Sequence, residues 1–170
     1  MVAAVVVLPP GDHPFRDSKT VPEAARDDAA AHVRAVALAW GVGRAEAEEI
    51  DTLGVPAATV LAVRRAIATM PLRPAGLITD WLDVPGPWAL LAPARADARS
   101  VQAAAASLLA KTERDRWMRE RAHLDYPVYG FERHKGYGAP AHMQALHDHG
   151  PCPLHRRRFA PVAQASLFRP

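Results

Sequence analysis

The sequence predicts an α/β domain, and three observations predict it. Val2–Leu8 is an unbroken apolar run, rich in Val and stopped by Pro9-Pro10-Gly11, the pattern of a buried strand that runs into a loop. Leu77-Ile78-Thr79-Asp80 reads as a second, short strand with a carboxylate at its carboxyl end. Around these, apolar residues recur at helical spacing over long stretches. The 170 residues are one domain's worth and can bury a sizeable core. A hydrophobic fraction of 49% with 23% charged residues is that of a soluble globular protein.

The elements follow in order. After the first strand, Asp17-Ser18-Lys19 lies in the connection, and Thr20 and Pro22 open a helix. Ala25, Ala29, Val33, Val36 and Trp40 keep helical spacing, so that helix is expected to run from Pro22 to Trp40 and to end at Gly41. Arg44–Leu53 and Pro56–Met70 read as two helical pieces broken at Gly54, with Val60, Val63, Ile67 and Met70 as the apolar stripe of the second. Leu77–Asp80 is the short strand, and Trp88–Leu91 is another. Ser100 opens a long helix that carries Asp115, and Ala139-Pro140 starts a shorter one that Gly150 can end. The tail 163–170 shows no pattern. No linker or internal repeat divides the chain, so 1–170 is expected to be a single domain. Within it, 1–100 forms the sheet core with its helices, and 101–162 forms a long helix and a helical C-terminal part.

Charge is unevenly placed. Residues 1–110 hold 10 Lys/Arg against 12 Asp/Glu, whereas residues 111–170 hold 11 against 6 and six of the eight histidines. A basic C-terminal part is the electrostatic footprint of a polyanion binder, although a solvated basic face with no partner has the same composition. The single Cys152 rules out an internal disulfide and suits a reducing compartment. Met1–Leu8 lacks a basic leader and is too short for a secretory core or a membrane span. A cytoplasmic monomer without membrane contact is expected.

Two carboxylates and one aromatic ring stand out. At roughly 100° per residue Ala104, Leu108 and Asp115 fall within about 40° of one another, so Asp115 shares an apolar helical stripe. An ionised carboxylate there must be paired or metal-bound, and Arg114, Arg119 or a more distant cation could be its partner. Asp80 ends a strand, at the edge where open α/β sheets bind ligands, but a turn or helix-cap Asp stands in the same place. Gly136-Tyr137-Gly138 sets a ring between two permissive residues beside His134 and Lys135. Such a Tyr can stack on a sugar or base while the cations meet phosphate, or it can simply staple the loop to the core.

Together the segments Ala-Lys-Thr-Glu-Arg-Asp (110–115), Tyr-Pro-Val-Tyr-Gly-Phe (126–131), His-Lys-Gly-Tyr-Gly (134–138) and His-Arg-Arg-Arg-Phe-Ala-Pro-Val (155–162) resemble bacterial ribonuclease HII, in the same order. The resemblance implies the ribonuclease H-like fold, a mixed sheet flanked by helices. It implies an endonuclease that hydrolyses the phosphodiester at ribonucleotides in RNA–DNA hybrids or embedded in duplex DNA. Such hydrolysis suits two divalent ions, Mn or Mg, one activating water and the other neutralising charge on the leaving oxygen. Asp80 and Asp115 match two of the family's four metal-binding carboxylates. Ser18, Lys19, Lys135, Tyr137 and Arg156, Arg157 and Arg158 are the implied substrate contacts, with Tyr137 stacking on a sugar. Glu49-Ile50-Asp51 also matches a family segment and is assigned to helix packing.

The chain departs from the family at three places. Trp81 follows Asp80 where Gly is common, and Ala96 stands where Gly opens a Gly-Asp-x-x-Ser segment. The other two carboxylates belong to an Asp-Glu-Ala-Gly-Arg-Gly segment on a first, central strand, and no Asp-Glu pair occurs in these 170 residues. The expectation is therefore a sheet without that strand and a chain that does not cleave as it stands, through a wrongly chosen start. The alternative is a non-cleaving nucleic-acid-binding homologue. A third possibility, from another class, is a zinc module built from Cys152, His155, His147 and His149, with His142 and His147 otherwise a polar helix face.

Overall fold

The structure is a computed structural model and describes residues 1–16, 18 and 20–167, the side chains of 165–167 excepted. Lys19, one of the expected substrate contacts, lies outside the described residues. The chain divides into two compact units, Met1–Ala45 with Pro56–Thr112, and Glu46–Val55 with the residues from Glu113 onward.

In the first unit, β1 (Val2–Val7) pairs antiparallel with β2 (Ala39–Arg44), in register from Val2 opposite Arg44 to Val7 opposite Ala39. The helix between them, α1 (Glu23–Val36), is shorter than its apolar spacing suggests. Ala37 turns extended (φ −67°, ψ 137°), its N–H closes on Val33 O at 3.0 Å, and the chain leaves as a strand. Trp40 and Gly41 therefore belong to β2, not to the end of a helix. Ladder bonds to β1 override the helical spacing of Trp40, because a buried strand must place every backbone polar group.

Helix α3 (Val55–Ala68) packs on β2 through the smallest residues available. A Cβ at Gly41 would stand 2.1 Å from Ala66 O, and one at Gly43 would stand 2.1 Å from Ala62 O. Helix and strand backbones thus touch directly, which only Gly permits. The buried face of α3 is accordingly Ala58, Ala62, Val63 and Ala66, while Val60, Ile67 and Met70 of the expected stripe are only partly buried.

The main core of this unit gathers Val6 and Leu8 from β1 and its end, Phe15, Ala30 and Val33 of α1, and Ala104, Ala105, Leu108 and Leu109 of α5 (Val101–Trp117). Ser100 precedes α5 and its Oγ accepts the Ala103 N–H at 3.4 Å, a side-chain cap for the helix start. A second ladder pairs β3 (Gly76–Ile78) with β4 (Ala89–Leu91) in parallel. Thr79 N–H still reaches Leu91 O at 2.9 Å, so the strand-like path carries on to Asp80. The short helix α4 (Ala96–Arg99) follows. Antiparallel and parallel ladders with helices make the domain mixed α/β, as the sequence predicts.

The second unit is helical. It begins with α2 (Ala47–Leu53), whose Glu46 and Glu49 form a reciprocal capping box, so the expected start at Arg44 lies three residues too early. After α5 come a π-helical turn at Met118–Ala122, α6 (His123–Asp125), a 3₁₀ turn at Pro127–Tyr129, α7 (Phe131–His134), α8 (Pro140–His149) and α9 (Ala160–Leu167). Pro140 stands in the first turn of α8 and Gly150 ends it at φ 70°, as the spacing predicts. Ala122, Tyr129, Phe131, Ala145, Leu146, Cys152 and Val162 form its core. Among the described residues no helix is long and apolar enough to cross a membrane.

Candidate carboxylate and nucleic-acid site

Asp115 is 4% exposed, on the part of α5 that belongs to the second unit. Arg114 Nη1 stands 2.9 Å from its Oδ1, so one of the partners offered by the sequence is in place. The same guanidinium donates through Nη2 to Lys135 O at 2.9 Å and lies with Cζ 4.6 Å from the Tyr137 ring centroid. Three residues singled out in the sequence, Asp115, Lys135 and Tyr137, thus converge on one side chain.

The loop that presents Tyr137 is built by backbone turns. Lys135 (φ 52°) and Gly136 (φ 76°) are both left-handed, which reverses the chain directly after α7. Lys135 N–H closes on Phe131 O at 2.8 Å, and Tyr137 N–H on His134 O at 2.9 Å. Gly136 meets two needs, the positive φ and close passage: an added Cβ would stand 3.0 Å from Met118 Cε. Tyr137 itself is 52% exposed.

Behind the loop is a buried chain of polar groups whose donors can be assigned. His142 Nδ1 lies 2.9 Å from Tyr137 O and must donate to it, since a carbonyl only accepts. His142 Nε2 then accepts from His155 Nε2–H at 3.0 Å, which leaves His155 Nδ1 to accept the Cys152 N–H at 3.0 Å. His134 stacks on His142 with centroids 4.5 Å apart. Burial, and then the nearby His142, hold His155 down to about 4. Burial likewise lowers His142, against the Tyr137 bond that raises it, and pushes the Cys152 thiol up. His142 is therefore an interior group, not part of a polar helix face. His147 and His149 are exposed, and His155 meets Cys152 and His142 instead of them.

In the first unit, Asp80 is exposed just beyond β3, and its Oδ1 accepts the N–H of Ala96, the first residue of α4, at 3.2 Å. That is the helix-start contact the sequence left open for it. Trp81 keeps a left-handed turn (φ 52°) and is 77% exposed. A non-Gly residue in that conformation costs roughly 1–2 kcal/mol. Ser18 is buried, its hydroxyl 3.0 Å from that of Ser107 and its carbonyl accepting from Arg26 Nε at 3.2 Å.

Arg157 and Arg158 are exposed, and Asp51 of α2 accepts both their backbone N–H groups, at 2.7 and 3.1 Å. Asp51, assigned to packing from the sequence, is thus the anchor of the basic triplet. Arg156 is half-buried, with Cζ 5.0 Å from the Phe159 ring centroid. Among the described residues no three His, Cys, Asp or Glu side chains stand together so as to hold a metal ion. These residues alone do not make up a metal centre.

The fold is similar to that of a solved ribonuclease H2. A solved structure, the ribonuclease H2 from Pyrococcus horikoshii OT3, superposes with a TM-score of 0.72 over 98% of each chain at 18% identity. In sequence, the Ribonuclease HII family profile matches residues 1–162. The Ribonuclease HII of a Thermus thermophilus strain is 56% identical over 170 residues, covering 100% of this chain and 83% of that protein. The Ribonuclease HII of Halorhodospira halophila is 48% identical over 172 residues, covering 95% and 85%. The chain belongs to the ribonuclease HII family.

Proposed function

We propose that this chain recognises ribonucleotides in RNA–DNA hybrids or within duplex DNA, and that its activity is endonucleolytic hydrolysis of the phosphodiester there. The observation that supports this most is the convergence of Asp115, Lys135 and Tyr137 on Arg114. It sets a buried carboxylate, the Arg114 guanidinium and a half-exposed ring in one small volume, with Lys135 joined through its carbonyl. Tyr137 positions the sugar by stacking and does no proton chemistry. Lys135, Lys19 and Arg156–Arg158 meet phosphates, and Ser18 holds its own segment in place through Ser107. Mg or Mn, with Asp80 and Asp115 among its carboxylates, supplies charge neutralisation and water activation when bound. The protein acts as a cytoplasmic monomer.

A second reading is a binder that does not cleave. It is favoured by the Asp80 contact with Ala96 and by the lack of a three-ligand set among the described residues. One experiment separates the two. The chain is incubated with a duplex carrying one ribonucleotide, in Mg and in Mn, beside Asp80→Asn and Asp115→Asn. Cleavage that both variants lose by about a hundredfold or more supports the nuclease. Ribonucleotide-selective binding with no cleavage in either metal supports the binder, and turnover that survives both substitutions overturns the carboxylate assignment.

A further inference from the structure

Arg114 does more than neutralise its neighbour. Its two terminal nitrogens serve different partners, Asp115 Oδ1 and Lys135 O, each at 2.9 Å, and its plane covers the Tyr137 ring at 4.6 Å. Only a planar guanidinium can do all three at once, because a lysine offers one point charge and no fork. The Tyr137 backbone is held independently: its carbonyl accepts from Ala139 N–H at 2.8 Å and from His142 Nδ1 at 2.9 Å. Those backbone bonds do not by themselves set the ring's rotation about its side-chain bonds. Arg114 against the ring restricts that rotation, and the residue is 52% exposed.

We infer that Arg114 is a positioning residue that links the Asp115 carboxylate to the Tyr137 ring, so that the group sensing the sugar and the carboxylate beside the scissile bond keep a fixed relation. This rests on the proposed roles of Tyr137 and Asp115. Rotation of the Tyr137 ring would break the cation–π contact, and loss of the fork would remove one contact from the ring, the Lys135 carbonyl and Asp115 together. The Arg114 side chain is only partly exposed, at 31%, and the Asp115 side chain at 6% is nearly enclosed, so solvent screens the pair less than a surface one.

The test uses the full chain and binding without cleavage, in EDTA. The ratio of affinities for a duplex with one ribonucleotide and for the same duplex in DNA is measured for Arg114→Lys, Tyr137→Ala and the double variant. Arg114→Lys should lower the ratio roughly three- to tenfold, in keeping with one cation–π contact. Tyr137→Ala should lower it at least as far, and the double variant no further than Tyr137→Ala. With three tyrosines in the chain, the Tyr137 ring resonances can also be followed by NMR. In Arg114→Lys they should move while those of Tyr126 and Tyr129 stay, which a general loss of structure would not produce. If Tyr137→Ala lowers the ratio but Arg114→Lys leaves both the ratio and the Tyr137 resonances unchanged, the link is wrong and the reading of Tyr137 stands. If Tyr137→Ala leaves the ratio unchanged, the reading of Tyr137 falls and the link falls with it.

Discussion

In the β1–β2–α3 region backbones approach one another directly; in the helical C-terminal part polar side chains reach backbone groups and one another. Gly41 and Gly43 let α3 rest on the strand with Ala58, Ala62 and Ala66 as its contact face. The helical part is fastened instead by directed bonds: Tyr129 OH to Gly150 O at 2.6 Å, the His142–His155–Cys152 chain, Arg114, and Asp51 on the amides of 157 and 158. The first region should therefore be intolerant of added volume, and the second should be sensitive to pH and to loss of single polar atoms.

The largest effect expected from this difference is steric. Gly43→Ala sets a methyl group 2.1 Å from Ala62 O and 2.4 Å from Ala66 N, backbone atoms that can move only with the whole helix. A loss of about 3 kcal/mol or more is expected in denaturant unfolding. Gly138→Ala, where an added Cβ meets nothing within 4 Å, is the control and should change stability by less than about 1 kcal/mol. Equal losses at the two sites would break the comparison.

The next effect belongs to the helical part. His155 is held down to about 4 in the folded chain, against 6.5 when free, so between these values the unfolded chain binds more protons. Stability is then full above about pH 6.5 and is lost as pH falls toward 4. The loss is at most roughly 3 kcal/mol for a shift of this size. His155→Gln keeps a polar side chain and removes this group's titration, so its stability should be lower at neutral pH and its slope shallower across that window, with His142 still contributing. A parent protein with no slope between pH 6.5 and 4 would mean that the histidine chain is open to water.

How far the sequence foretells these regions follows from the physics of each. The Val-rich run of β1, the Pro140 start and Gly150 end of α8, and the burial of Asp115 on an apolar stripe are local patterns and were legible. β2 was not. Ala39-Trp40-Gly41-Val42-Gly43-Arg44 has two glycines on the face that meets α3, where a strand pattern would show apolar side chains. Trp40 meanwhile continues the helical spacing of α1. The interior position of His142 was hidden for a similar reason, since its partners are His155 and the Tyr137 carbonyl, groups that α8 itself does not supply. Asp51 shows the same limit across 106 residues, between α2 and Arg157. In the sequence Arg114 is only a charge beside Asp115; its contacts with Lys135 and Tyr137 come from residues more than twenty positions away.

A smaller effect is expected at the basic triplet. Asp51 fixes the backbone at 157 and 158, and both arginines are exposed, so they are free to meet phosphates. Replacing Arg156, Arg157 and Arg158 by Ala should weaken binding to any duplex and lower the slope of log affinity against log salt by about 0.9 for each phosphate lost. Selectivity for a ribonucleotide should not change. An unchanged slope would mean that the triplet faces only water.

The central claim is that an open aromatic face beside a buried carboxylate reads the ribonucleotide. Its most direct test is the ratio of affinities for ribonucleotide-containing and all-DNA duplexes, measured for Tyr137→Phe and Tyr137→Ala side by side. Stacking of an aromatic side chain on a base is worth about 1–3 kcal/mol, which sets the scale for the Tyr137 ring. Tyr137→Phe, which keeps the ring, should hold the parent's ratio within about twofold, and Tyr137→Ala should reduce it by about tenfold or more. Equal losses in the two variants, or none in either, would contradict the account.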